Sequence, residues 1–485
     1  MAPALREALK RGRFTAGGLQ VALGTEPDGS PGTAPVFDRM LAQDDRGLLA
    51  RVFLLGLEVD AELAEPALAP AGVDNLVSAG FLERRGENVA CPIRITPFEG
   101  LLLAHDPEPI SDPDPAIVTG LNSAARTLAS LTPRRPAGRA LDIGTGSGVQ
   151  ALLAATHCDS VVATDVNERA LEFTRLGAAL SDLDNVETRA GSFFDPVEGE
   201  EFDLIACNPP YVISPDSELV YRDGGLQGDE VSRIAVRGAA DHLAENGLAV
   251  VLCNWVRAPF APWAAPLRDW LAGSGCDALL LHHVTEEPLE YAAKWNTRFR
   301  SQPGEHGEVL DRWVGYYLGQ EITALSTGGV ALRRRDRAEP LVTEMEMAAG
   351  PSGRAGEHVV RLLDAAELLE RLDDDQLLAT PLALVEDHAL HREREHHRTG
   401  YGEETVRVGL SDNAGLRPEF GPAVGALLMG LGAGSPPAEL VPRLASALGT
   451  SEDEARGAVA DTIRALIAQG IVEPAKPRSS RPLGG

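Results

Sequence analysis

From residue 139 to about residue 335 the chain alternates short apolar runs with helical stretches, and this constrains its fold more than any other feature. Runs at 139–143, 160–164, 186–190, 202–206, 248–253, 278–283 and 323–333 have the length and composition of strands. Helical spacing fills 149–155, 168–180 and 231–243 between them. A strand that feeds a helix, which then returns to a neighbouring strand, builds a parallel sheet covered on both faces. The expected architecture is α/β: a doubly wound, Rossmann-like sheet of seven strands, with 322–335 as the last. Ligands of such sheets bind beyond the carboxyl ends of the strands, where strand order reverses.

Several of those ends carry distinctive residues. Leu141-Asp142-Ile143 runs into Gly144-Thr145-Gly146-Ser147-Gly148. Backbone without Cβ atoms can turn sharply and approach a ligand closely. A dinucleotide fingerprint would place its third glycine at 149, where Val149 stands. The second strand ends in Thr164-Asp165, whose carboxylate offers two acceptor oxygens to a ribose or can cap the helix that follows. The third leads into Gly191-Ser192-Phe193-Phe194. The fourth leads through Cys207 into Asn208-Pro209-Pro210-Tyr211. Asn-Pro forms turns readily. An Asn side-chain oxygen and a prolyl carbonyl can also both accept from one NH2 group, and Tyr211 offers an aromatic face to a planar amide or base.

A glycine loop after one strand and Asn-Pro-Pro-Tyr after a later one resembles the class I S-adenosylmethionine (SAM) methyltransferases, over roughly residues 117–335. The Asn-Pro-Pro-Tyr branch methylates planar nitrogens: the amide of glutamine or the exocyclic amine of adenine. Tyr221-Arg222-Asp223-Gly224-Gly225-Leu226-Gln227-Gly228-Asp229 resembles the Gly-Gly-x-x-Gly stretch of protein-glutamine N5-methyltransferases, the release-factor-modifying family. The resemblance implies SAM as cofactor, held by Asp142, Gly144, Thr145, Gly146, Gly148, Asp165, Ser192, Phe193 and Asn208. Asp142 would meet the methionine end, Asp165 the ribose, and Phe193 the adenine. It implies Asn208, Pro209, Pro210 and Tyr211 as the catalytic set, with no metal. Where the family often has Asp beside Gly191, this chain has Ser192, so the adenine amine needs another partner. The favoured activity is methylation of a protein or peptide glutamine. The alternatives are exocyclic-amine methylation of RNA or DNA, with the base flipped out of a duplex, and a SAM-binding interaction module that has lost catalysis.

With 485 residues, two or three domains are expected. Residues 1–110 read as helices at 5–11, 46–57 and 71–79, then a hairpin of 81–85 with 88–95 across Gly86-Glu87: a winged-helix-like accessory domain. The loop at 25–32 has turn chemistry. Proline and acid residues at 106–115 form a stiff linker, and a helix over 117–131 leads into the methyltransferase domain of 117–335. Residues 340–475 form an α-rich C-terminal accessory domain with helices at 357–372, 423–430, 438–448 and 452–469. It resembles PqqD-like peptide-binding and related small winged-helix units. The histidine-rich stretch 386–404 is expected as a solvated charged helix or linker, with His388 and His391 on one helix face. Arg333-Arg334-Arg335 and Arg337 read as a solvated strand end that could touch RNA. Residues 476–485 are expected to be disordered.

Charge bears on the substrate. Forty-four basic and 72 acidic residues leave a formal net charge of −28, which repels phosphate backbones and favours a polypeptide over a nucleic acid. A local basic patch would still admit RNA. Five cysteines without a C-x-x-C pair fit reduced thiols. No signal-peptide core or long apolar run appears. A cytoplasmic enzyme with no membrane partner is expected.

Overall fold

The structure, a computed structural model, describes residues 1–25, 32–108, 114, 116–216, 222–335, 337–397, 400–431 and 433–475. Most of the 25–32 loop, part of the 106–115 linker, Tyr221 and the 476–485 tail lie outside the described residues. The chain divides into two compact units. The first comprises Met1–Ala129, Arg135–Gly275 and Val284–Asp336; the second comprises Ser130–Arg134, Cys276–His283 and Arg337–Gly485.

In the first unit, six strands lie side by side in the order Ala324–Arg334, Leu243–Arg257, Phe202–Cys207, Ala137–Ile143, Cys158–Asp165, Val186–Ala190. All pair in parallel except Ala324–Arg334, which runs antiparallel to Leu243–Arg257 from Leu248↔Arg333 to Arg257↔Ala324. These strands are apolar because helices cover the sheet; every residue of helix Val149–Ala155 is buried. The order reverses at Ala137–Ile143, whose neighbours are Cys158–Asp165 on one side and Phe202–Cys207 on the other. Their last paired residues are Ile143 and Cys207. Gly144 and Asn208 therefore leave the sheet next to each other, at the switch point.

The N-terminal region is built onto a helix that also serves this sheet. Helix Glu168–Ser181 starts at Asn167, whose side chain accepts from Arg169 N–H at 3.0 Å. Its Leu180 joins the N-terminal core of Leu9, Leu19, Phe53 and Leu76, and Arg6 pairs with Asp182 just beyond its end. Val59–Asp60, Asn88–Ala90 and Glu83–Arg85 form a small antiparallel sheet in that order, with helices Ala61–Leu68 and Val73–Ser78 between the first strand and the hairpin. The helix expected over 46–57 is α only from Asp45 to Leu49, continues as a π-helix over Ala50–Leu55, and stops at Gly56 in the left-handed region. The strand expected over 88–95 is divided, and Arg94–Phe98 pairs instead with Leu101–His105.

One departure alters the site. The helix expected over 117–131 begins only at Ser123, with the Asn122 side chain accepting from Ala125 N–H at 2.9 Å. Val118 is held outside it by Asp106, whose carboxylate accepts Val118 N–H at 2.9 Å and whose own N–H donates to Val118 O at 3.0 Å. Tertiary hydrogen bonds overrode helical spacing here.

The second unit joins helices to small sheets. Helix Gly356–Arg371 precedes Asp374–Ala379, which opens with a capping box of Asp373 and Gln376; Ser451 and Glu454 open Glu452–Ala468 in the same way. The histidine-rich stretch corrects its expectation. It forms strands His388–His397 and Gly400–Leu410, paired antiparallel. Strand alternation sends residues 388 and 391 to opposite faces. The charges pair across strands, Arg407 with Glu393 and Arg394 with Glu404. Among the described residues no cluster of His, Cys, Asp or Glu is placed to hold a metal, and no helix is long and apolar enough to cross a membrane. The arginine run is also engaged: Arg333 is buried, Arg334 donates to Ala240 O at 3.2 Å, and Arg335 bonds Asn246.

Candidate active site

A cavity of about 420 Å³ lies at the carboxyl ends of the central strands. Five segments wall it: 117–125, the glycine loop after Ile143, Thr164–Ala170, Gly191–Phe193, and Asn208–Pro210 with Asp223–Gly225.

The glycine loop forms one wall. Gly144 and Gly146 adopt φ of 67° and 56°, in the left-handed region that residues with a Cβ rarely enter. A Cβ built on Gly146 would meet no protein atom within 4 Å, so the loop spares space there for something other than protein. Asp142 is buried and anchors the loop, accepting from Thr145 Oγ1 at 2.7 Å and from Ala151 N–H at 2.9 Å. Burial pushes its carboxyl up to about 7, against those two hydrogen bonds. Asp165 accepts Gly146 N–H at 3.0 Å through one oxygen and Asn167 N–H at 2.9 Å through the other. Each oxygen keeps a lone pair for a ligand hydroxyl. Burial raises this carboxyl too, and backbone N–H groups oppose the rise.

Ser192 and Phe193 line the cavity beyond the next strand. Phe193 has φ of 43°, a strained conformation for a bulky residue. Its neighbours fix it: Gly191 N–H donates to Asp165 O at 3.0 Å, and Phe194 stacks on His242 with centroids 4.7 Å apart.

Asn208, Pro209 and Pro210 form the facing wall. No described residue hydrogen-bonds the Asn208 carboxamide, which leaves its oxygen open as an acceptor. Pro209 O accepts Tyr211 N–H at 2.7 Å, a tight turn. The wall is completed by a segment that doubles back: Tyr211 bridges Asp223, and Asp223-Gly224-Gly225 line the cavity. Glycine is needed at 224, because a Cβ would lie 2.2 Å from Val231 Cγ2 and 3.0 Å from Pro210 O. Asp223 and Arg222 form a buried bidentate pair, Nε–Oδ1 2.7 Å and Nη2–Oδ2 3.0 Å, and Ser214 Oγ donates to Asp223 at 3.1 Å.

Ten of the residues singled out from sequence thus share one cavity: Asp142, Gly144, Thr145, Gly146, Asp165, Ser192, Phe193, Asn208, Pro209 and Pro210. Gly148 and Tyr211 stand outside its lining. Gly148 starts helix Val149–Ala155 with φ of 81°, and a Cβ there would press on Thr174 at 3.0–3.2 Å. Tyr211 packs against the core cluster that contains Ile213, Tyr291 and Trp313, and burial pushes its hydroxyl up to about 12, so it stays protonated. Cys207 is buried with its thiol raised well above the usual range by burial, which makes it inert. Val118, Thr119 and Gly120 also line the cavity and were missed; their helical spacing hid them, and the proximity of Gly120 to a turn-favouring Asn122 was the only signal.

Comparison with known proteins agrees with this geometry. Residues 118–258 match the family described as methyltransferase small domain, and residues 1–91 match a domain of unknown function (DUF7059). A release factor glutamine methyltransferase of Xylella fastidiosa is 35% identical over 131 residues, 24% of this chain and 47% of that protein. A ribosomal protein uL3 glutamine methyltransferase of Bradyrhizobium diazoefficiens is 36% identical over 122 residues, 22% of this chain and 38% of that protein. A ribosomal RNA small subunit methyltransferase C of Salmonella newport is 31% identical over 137 residues, 28% of this chain and 36% of that protein. The chain spans about half the length of these relatives or less. The segment that matches the methyltransferase small domain family, residues 118–258, supplies the glycine loop, Asp165 and the Asn208–Pro210 wall.

Proposed function

We propose that the protein is a SAM-dependent N-methyltransferase whose favoured acceptor is a glutamine side chain of a protein. The observation that carries this reading is the single cavity in which the glycine loop and Asp165 face Asn208-Pro209-Pro210. The residues present fit the cofactor: a loop with room beside Gly146, a carboxylate with spare acceptor capacity at Asp165, and a buried carboxylate, Asp142, beneath the loop. When bound, SAM supplies a methyl group activated by its sulfonium. Asp165 would hold the ribose, Phe193 would pack on the adenine, and Asp142 would balance charge at the methionine end.

The chain's own contribution is to place a poor nucleophile. An amide nitrogen has a delocalised lone pair. Two acceptors on its NH2 group, the Asn208 oxygen and a prolyl carbonyl, orient it and stabilise charge as the bond forms. Pro209 and Pro210 stiffen that turn and have no N–H to compete. Tyr211 keeps its proton and backs the turn by packing.

Two relatives are named for glutamine in a release factor and in a ribosomal protein, and the net charge of −28 disfavours phosphate backbones. A base amine is the second reading, favoured by the relative named for ribosomal RNA. The flanks fit a polypeptide better. Residues 1–110 are proposed as a winged-helix-like accessory domain, in which Arg84 and Arg85 are already paired with Asp74, Glu58 and Glu83 and do not offer a bare basic wing. Residues 340–475 are proposed as a peptide-docking accessory domain. A cytoplasmic location fits relatives named for a release factor and ribosomal components, and five buried free thiols. The test is to incubate the protein with methyl-labelled SAM and cell extract. Label that protease destroys and ribonuclease spares supports the reading; the opposite pattern promotes the base amine.

A further inference from the structure

Between Val284 and Ala324 the chain makes two helices, Pro288–Trp295 and Pro303–Gly319, that pack against each other. None of their residues lines the cavity. They are nonetheless rich in aromatic side chains that are scarce in the chain: three of its six tyrosines and two of its five tryptophans fall between residues 291 and 317. Most of these groups reach one place. Tyr291 Oη accepts Ile213 N–H at 3.2 Å, and Tyr317 Oη donates to Ile213 O at 2.7 Å. Both main-chain polar groups of one residue, two positions past Tyr211, are thus held by phenols.

The grip continues along the segment. Trp313 Nε1 and Arg312 each donate to Asp216 at 2.9 Å. Tyr316 Oη accepts Gly228 N–H at 3.1 Å. The Arg222 guanidinium lies over the Trp313 ring, 5.5 Å from its centroid, while it clamps Asp223. Tyr291 and Tyr317 are fully buried and meet edge to face at 6.2 Å, and Tyr211 packs on the same cluster. Asn254, within strand Leu243–Arg257 and fully buried, donates to Tyr291 Oη at 2.6 Å; its Oδ1 meets no donor among the described residues.

We propose that the helical pair is a positioning element for the acceptor wall, with Tyr291 and Tyr317 as its positioning residues. The proposal rests on the reading of Asn208–Pro210 as the acceptor site. A turn stiffened by two prolines has a fixed shape but not a fixed direction. The phenols fix the direction by pinning Ile213 on one side of the turn, while Tyr316 at Gly228 and Trp313 beneath Arg222 flank the returning segment Asp223-Gly224-Gly225. The pair thereby sets how the two acceptors face the methyl group, without touching cofactor or substrate.

The test uses full-length Tyr291→Phe and Tyr317→Phe, with Tyr316→Phe as a milder variant at a less buried position. Amide hydrogen exchange across 208–228 should speed up in each, with the Ala137–Ile143 and Cys158–Asp165 strands unchanged. SAM affinity by calorimetry should stay within about twofold, whereas kcat with methyl-labelled SAM and extract protein should fall by about tenfold or more in the two buried variants. Wild-type exchange across 208–228 in all three would overturn the clamp. So would unchanged kcat, or a loss of SAM affinity as large as the loss of kcat. If the wild-type protein transfers no methyl group, the functional reading fails, and the exchange arm still decides whether the phenols hold the loop.

Discussion

Asp142 sits where a carboxylate is costly, buried beneath the glycine loop with its carboxyl raised to about 7. Its folded value lies above its ordinary 3.8, so its contribution to apo-protein stability is full below about 4 and is lost as pH rises toward about 7. A cationic ligand end reverses the preference by favouring the charged form. SAM binding near pH 7 is therefore expected to release protons, and affinity should strengthen as pH rises through 7. Calorimetry in buffers of differing ionisation enthalpy measures this, and Asp142→Asn should abolish the released protons. Asn208→Ala should leave SAM affinity nearly intact and cut turnover by at least about a hundredfold, as for loss of a positioned polar group; wild-type turnover would reduce Asn208 to a turn residue. Gly224→Ala should also damage turnover more than cofactor binding, since its methyl would push against Val231 and the Pro210 carbonyl. Asn208 and Asp165 were legible in the sequence because each stands at the carboxyl end of its own strand. Val118 is held at the cavity by Asp106, a partner 12 residues away that leaves no pattern in spacing, whereas Asp223 lies in the 221–229 stretch that resemblance, not spacing, marks.

At the scale of elements, the central strands were readable because burial on both faces writes them as uninterrupted apolar runs. Ala137–Ile143 and Phe202–Cys207 are examples. The strand His388–His397 differs from the expected helix or linker because its exposed side chains from His391 to Arg394 are polar on both faces and lose the apolar alternation that marks a strand; its partner Gly400–Leu410 keeps that alternation in buried Val406, Val408 and Leu410. The helices Pro288–Trp295 and Pro303–Gly319 were passed over, their aromatic concentration being the unused signal. Helix Gly356–Arg371 supports a pH prediction. Its His358 is fully buried, with Nε2 against Gln469 O at 2.9 Å and Nδ1 accepting Ala414 N–H at 3.1 Å. Burial pushes the ring down to about 4 from 6.5, so it stays neutral in the folded chain. The stability it contributes is present above pH 6.5 and is lost as pH falls toward 4, on the order of 3 kcal/mol at full effect. Unfolding midpoints between pH 7 and pH 4 should fall, and His358→Gln should flatten that dependence. A wild-type slope in His358→Gln would place the acid sensitivity elsewhere.

For the whole molecule, the sheet order reverses at the glycine loop, the neighbouring strand end presents Asn208, and the flanking regions are proposed to engage a polypeptide. The proposed reaction moves a methyl group from SAM to the side-chain nitrogen of glutamine. Protein labelled by the wild-type enzyme should be digested to free amino acids with proteases alone, because acid would cleave the methylated amide and lose the label as methylamine. Chromatography of that digest is predicted to place the label in N5-methylglutamine, and a parallel reaction with Asn208→Ala should lack that peak. Label recovered instead in a methylated nucleoside, or in another amino acid, would contradict glutamine as the methyl acceptor.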